Sequence, residues 1–184
     1  VKSKTGLAIK FNMIIAFPSA MGLAILSQPI IRLLYPSSDY VTGGMMLVTG
    51  SICIIFYALS TVTSGVLQSI DKMNLPVIHS FISLVIHVVL LFGLLKWTNL
   101  GVYALVAGNV TYPLVVCYLN GRSVKKHLEF KQEVTRTFCV PLIASFVMGV
   151  ATLLVYEGIY LITHSMILAI IPSIVVAVLT YFIL

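Results

Sequence analysis

The sequence predicts an all-α fold, a polytopic bundle of six membrane-spanning helices. Three observations predict it. The chain is 60% hydrophobic and 9% charged, against roughly 45 to 50% apolar and about 25% charged for an ordinary soluble domain. Its apolar residues come in tracts of about 20, the length a helix needs to cross roughly 30 Å of hydrocarbon. The tracts are continuous, without the period-2 alternation of a barrel strand, and in lipid a helix satisfies its own backbone hydrogen bonds. A soluble fold is excluded on composition, with a mean hydropathy of +1.11.

The first predicted span runs from about Phe11 to Leu34. It is too long for a signal-peptide core and five more spans follow it. Pro18 and Pro29 lie inside it and invite kinks, and Ala16, Ala20 and Ala24 form a small-residue face for close helix contact. The second span, about Met45 to Gln68, carries Cys53, Tyr57, Thr61, Ser64 and Gln68 at steps of three or four, with Ser60 beside them. The third, about Pro76 to Leu95, opens on a proline whose missing N–H is harmless there. It sets His79, Ser83 and His87 at steps of four. Val102 to Leu119 is the fourth, with Ala104 and Gly108 as a small face and Pro113 as a kink. The fifth, Phe138 to Ile162, has Pro141 near its start and Ser145 and Gly149 for packing. The sixth, Met166 to Leu184, contains Pro172. The chain opens on Val1 and closes inside an apolar run, so part of a larger protein is expected.

Charge sets the orientation. With alternating spans, one side collects Lys2, Lys4, Lys10, Lys72, Arg122, Lys125, Lys126, Lys131 and Arg136, and the other only Arg32 and Lys96, nine against two of the 11 basic residues. By the positive-inside rule both termini and the loops 69–75 and 120–137 are expected in the cytoplasm. The net charge of +6 therefore reflects topology, and no nucleic-acid partner is expected, because no segment offers a folded basic face. In the loop "NGRSVKKHLEFKQEVTRTF", Arg122, Lys125, Lys126, Lys131 and Arg136 either fix topology as solvated charges or bind lipid headgroups of the anionic leaflet.

Catalytic and metal-binding patterns are missing from the sequence. Cys53, Cys117 and Cys139 have no CxxC spacing, and His79 and His87 stand about 12 Å apart along a helix, too far to share one metal. Without HExxH, P-loop or nucleophile-elbow motifs, neither an enzyme nor a cofactor is expected. The sequon Asn109–Val110–Thr111 lies within a span and is not a glycosylation site. The polar stripes on the second and third spans are more telling, since polar groups in lipid face the bundle interior or a water-filled cavity. They make helix–helix hydrogen bonds, at about 0.6 kcal/mol each, or line a transport cavity.

Three segments carry a resemblance to a known family. "FPSAMGLAILSQPIIRLLYP", Phe17 to Pro36, has a Pro-small-small-x-Gly-Leu segment followed by Pro-Ile and a Leu-Leu-Tyr end. "GVLQSIDKMNLP", Gly65 to Pro76, is similar to a Leu-Gln-Gly-x-Gly-Lys segment before a proline. "NLGVYALVAGNVTYPLV", Asn99 to Val115, is similar to a Gly-x-x-Gly-Ala-Ala-x-Ala segment. Together they resemble the multidrug/oligosaccharidyl-lipid/polysaccharide exporter superfamily, and within it the SpoVB/MurJ-like proteins of Gram-positive bacteria. Ser69, Asp71 and Tyr103 stand where glycines are usual, and the last two spans match by hydropathy alone.

The resemblance implies that these are the last six of fourteen helices in a MATE-like two-lobe transporter of the bacterial plasma membrane, with an N-terminal lobe of the same protein as partner. It implies a flippase for a lipid-linked oligosaccharide, lipid II or a related undecaprenyl-linked precursor for peptidoglycan, spore cortex or polysaccharide, working by alternating access. Membrane lipid and the lipid-linked saccharide are its expected partners. Candidate cavity residues are Gln28, Arg32, Tyr57, Thr61, Ser64, Gln68, His79, Ser83, His87 and Asn109. Arg32 meets a substrate phosphate or snorkels to the interface, and Glu157 is expected to be interfacial. The turn at Asp71 and Lys72 is expected to be structural. A cation-coupled MATE-type antiporter would share the fold but use an embedded carboxylate, and none of Asp39, Asp71, Glu129, Glu133 and Glu157 lies deep in a span. A lipid-phosphate transferase would need clustered acidic or His ligands, and only Asp71 with His79 comes near that.

Overall fold

The computed structural model describes residues 2–37, 39–99, 101–129 and 133–184. Among them there is no strand, and six helices are long and apolar enough to cross a membrane. The elements are α1 (Lys2–Ile25), α2 (Ser27–Leu34), α3 (Tyr40–Ser69), α4 (Asn74–Trp97), α5 (Val102–Leu128), a π-helical turn (Thr135–Cys139) that runs into α6 (Val140–Thr163), and α7 (Met166–Ile183). The all-α, six-span prediction holds.

Several boundaries differ from the sequence reading, and the two largest differences have a physical reason. The first tract is not one helix from 11 to 34. α1 starts at Lys2, where Thr5 and Ile9 are already buried, and breaks at Leu26. Pro29 has no N–H to give to the carbonyl one turn back, so the chain restarts as the short α2. The fourth span does not end at Leu119. α5 runs on to Leu128 because Asn120 and Val124 are buried against other helices, and Lys125, Lys126 and His127 in its last turn complement the helix dipole. Pro141 follows the π-helical turn, whose wider winding makes room for the proline ring.

The helices pack as an open row in the order α4, α5, α3, α1, α6, α7, with α2 lying on α3. α3 and α4 are joined by a tight turn yet barely touch, because α5 packs between them. Small residues set the close approaches. Ala16 and Ala20 of α1, Ala104 and Gly108 of α5, and Ser145 and Gly149 of α6 are all buried. A Cβ on Gly149 would overlap Ile25 Cδ1 and lie 3.0 Å from Met21 Cγ, and one on Gly44 would lie 2.6 Å from Gln28 Cγ. α1 is tied to α3 by Asn12 Nδ2 donating to the Ala58 carbonyl (2.5 Å). Tyr181 of α7 donates to the Ile14 carbonyl (2.7 Å). Elsewhere Ile15, Phe81, Phe92 and Phe146 point outward, as residues against lipid do.

The turn between α3 and α4 answers why polar residues interrupt the apolar chain there. The Lys72 N–H donates to the Leu67 carbonyl (3.0 Å) and the Asp71 N–H to the Gln68 carbonyl (3.1 Å), with Asp71 at φ 59°. These are the paired bonds of a Schellman motif, which ordinarily places glycine at the left-handed position. Pro76 sits in the first turn of α4, where no carbonyl needs its N–H.

Candidate functional site

The polar residues converge where α3, α4 and α5 meet, near the turn between α3 and α4. Asn120 of α5 is fully buried and His79 of α4 is 8% exposed. Asn120 Nδ2 donates to the Ser64 hydroxyl (2.8 Å) and to the Ser60 carbonyl (3.3 Å), both on α3. A carbonyl only accepts, so the amide is oriented with its oxygen toward His79 Nδ1, 2.7 Å away. That nitrogen therefore carries hydrogen. Nε2 faces the Ser123 hydroxyl at 3.4 Å. Ser83, fully buried, spends its hydroxyl on the His79 carbonyl (2.7 Å).

A second contact joins α4 to α5 farther along. His87 Nδ1 donates to the Gly108 carbonyl (2.7 Å), and its ring stands edge-on to Tyr112 at 6.4 Å. Tyr57 of α3 lies 6.3 Å from the same ring. The Asn109 carbonyl accepts from Cys53 Sγ (3.7 Å), while the Asn109 side chain is exposed.

The predicted stripe on α3 divides. Cys53, Ser60 and Ser64 face α5, whereas Tyr57, Thr61 and Gln68 are exposed, and Thr61 bonds its own Tyr57 carbonyl (2.8 Å). The stripes of α3 and α4 do not face one another directly, because α5 stands between them and Asn120 makes the link. Asn120 escaped the sequence reading because it opens the basic stretch assigned to a loop. Ser123 escaped for the same reason.

Gln28 and Arg32 lie on α2, which packs beside the N-terminal part of α3, at the other end of that helix from Ser64. They line a cavity of about 420 Å³ with Tyr40, Tyr156, Glu157 and Tyr160. The Arg32 guanidinium sits over the Tyr40 ring, 5.1 Å from its centroid, a cation–π contact. It makes no ion pair with Glu157; among the described residues only Arg136 and Glu133 pair, at 3.4 Å and exposed. Next to Tyr40 in sequence, Asp39 caps α3, accepting from Val41 N (3.0 Å), Thr42 N (3.3 Å) and Thr42 Oγ1 (2.5 Å). The Thr42 hydroxyl and these amides hold its carboxyl below the usual range. A groove of about 620 Å³ between α1, α6 and α7, lined by Pro18, Gly22, Met148 and Phe182 among others, is almost wholly apolar.

Arg122, Lys125 and Lys126 are exposed on the last turns of α5, and Lys131 lies outside the described residues. No group of metal-ligating side chains occurs among the described residues.

An open row of six apolar helices, with its polar residues gathered at interhelical junctions, defines a multi-pass helical membrane protein. The family model for the lipid II flippase MurJ matches residues 1–173. The chain belongs to that family, one of transporters rather than enzymes. No curated protein and no solved structure matches it.

Proposed function

We propose that this chain is the part of a flippase that moves a lipid-linked saccharide precursor, lipid II or a related undecaprenyl-linked molecule, across the bacterial plasma membrane. The family match over residues 1–173 carries this reading. The physical task is to pass a polar sugar-pyrophosphate head through the bilayer while the lipid tail stays in hydrocarbon. An open row of helices suits alternating access, since one face is left for a companion lobe of the same protein to rock against. The Arg32 cavity supplies a cation, an amide and tyrosine hydroxyls suited to a phosphate-bearing head. The groove between α1, α6 and α7 supplies an apolar wall suited to a lipid chain. The end bearing Lys72, Arg122, Lys125, Lys126 and Arg136 is the cytoplasmic one on this reading.

Depleting the protein and assaying the cytoplasmic leaflet for lipid-linked precursors tests it. Accumulated undecaprenyl-linked saccharide is the expected result and names the substrate. Unchanged precursors with new sensitivity to cationic drugs would replace the flippase with a multidrug antiporter.

A further inference from the structure

We propose that the cavity at Arg32 binds a saccharide, taking a pyranose ring of the lipid-linked head. Its polar groups point to a ligand because the protein leaves them without partners. Ser83, Ser145, Thr152 and Ser173, all fully buried, each donate to the carbonyl one turn back. Ser27 is buried almost as deeply, 3% exposed, and lines the cavity, yet its hydroxyl makes no hydrogen bond among the described residues. Gln28, Tyr156, Glu157 and Tyr160 line the same space, and their side chains make none either. Buried polar groups are ordinarily paired, and within a membrane an unpaired one is costly. A molecule that both donates and accepts would satisfy all of them.

The charges decide what that molecule is. Arg32 and Glu157 both line the cavity without pairing with each other. The Arg32 guanidinium instead lies over the Tyr40 ring, 5.1 Å from its centroid. A bare phosphate would gain from Arg32 and be repelled by Glu157, and an ammonium group would meet the reverse. Neutral hydroxyls suit both, since each accepts from a guanidinium or amide and donates to a carboxylate. The walls narrow the class further. The Tyr156 and Tyr160 rings lie nearly parallel, with 8° between their planes and 5.9 Å between centroids. A pyranose has apolar C–H faces that lie against such rings, and a rim of hydroxyls for the polar groups. The volume of about 420 Å³ falls within the range of small-molecule sites, and Gln28 is set in place by its stem against Gly44 of α3. Leu26 and Thr152 line the apolar groove, and their chain neighbours Ser27 and Leu153 line this cavity, so a sugar held here lies close to a wall for a lipid chain. That the sugar arrives on a lipid rests on the flippase reading.

The test measures, by native mass spectrometry of the full-length protein in lipid nanodiscs, binding of lipid II, of undecaprenyl phosphate and of the lipid-free disaccharide of lipid II. Glu157→Gln and Gln28→Ala, both at exposed positions, should each weaken lipid II binding about tenfold and leave undecaprenyl phosphate unchanged. Tyr160→Leu should do the same, and Tyr160→Phe, which keeps the ring face, should lose less. Tyr160 also packs against Leu26 and Ala169, so if the Leu variant fails to fold, the two exposed variants decide. Unchanged lipid II binding in these variants would overturn the proposal, and so would equal losses for both lipids. Tighter binding of both lipids by Glu157→Gln would replace the saccharide with a phosphate. Variants that lose the free disaccharide but keep lipid II would leave a sugar site and remove its lipid-linked source. If the variants lose lipid II while depletion leaves lipid-linked precursors unchanged, the cavity proposal stands and the flippase reading falls. Accumulated precursors with unaltered binding in the variants would do the opposite.

Discussion

Asn120 holds His79 from the neighbouring helix at 2.7 Å while reaching across to α3 through Ser64 and the Ser60 carbonyl. One fully buried amide thus joins three helices that the chain does not order consecutively in space. Asn120→Ala should lower stability by about 1–3 kcal/mol, because it leaves the buried imidazole N–H of His79 without its acceptor. Combined with His79→Ala, the two effects should fall short of additivity by about 0.5–2 kcal/mol. Thermal unfolding of the four proteins in detergent measures both quantities. Strict additivity would mean that the pair contributes nothing.

Asp71 adopts a left-handed conformation, φ 59°, at the position of the α3–α4 turn where glycine is favoured. Asp71→Gly should raise stability by about 1 kcal/mol, read as a higher midpoint in the same unfolding assay. A loss of stability would show that the aspartate side chain contributes more than its backbone conformation costs.

Gly149 lets α6 approach α1, and a methyl group there would press on Ile25 and Met21. Gly149→Ala should cost about 1–3 kcal/mol as those side chains are displaced. Gly158, with open space around the same virtual methyl, is the control, and Gly158→Ala should be neutral or stabilising.

Asp39 carries a pH dependence whose sign is fixed by its hydrogen bonds. Its carboxyl is held below the usual range by Thr42 and Val41, so ionisation is easier in the folded chain than in the unfolded one. The cap therefore contributes fully above the ordinary carboxylate range, and its contribution is lost as pH falls through the lowered folded value. Asp39→Asn should keep a cap on α3 while removing this part of the acid sensitivity. Stability followed between pH 6 and pH 2, on the order of the carboxylate range, checks it. Identical acid profiles would exclude Asp39 as a source.

Much of this architecture was legible in the sequence because hydropathy and the small-residue faces are local signals. The division of the α3 stripe was legible too, had angle been weighed more finely than spacing. At about 100° per residue, Cys53, Ser60 and Ser64 fall within about 40° of one another, while Tyr57, Gln68 and Thr61 drift about 40–80° from Cys53. The first group is turned toward α5 and the second is exposed. Asn120 was not legible. Its neighbours Arg122, Lys125 and Lys126 read as a loop, and only partners supplied by two other helices make its burial favourable. The break at Leu26 is intermediate: Pro29 announces a disturbance, but its position depends on how α2 settles on Gly43 and Gly44 of α3.

The placement of α5 between α3 and α4 has a consequence for biogenesis. Helices enter the membrane in chain order, and association follows insertion. α4 therefore reaches the bilayer before the helix that shelters His79 and Ser83 has been synthesised, and α3 alone offers it little surface. The newborn α4 must wait, its imidazoles unclaimed, until α5 arrives to wedge itself between two older neighbours. Assembly order and translation order part company at this point.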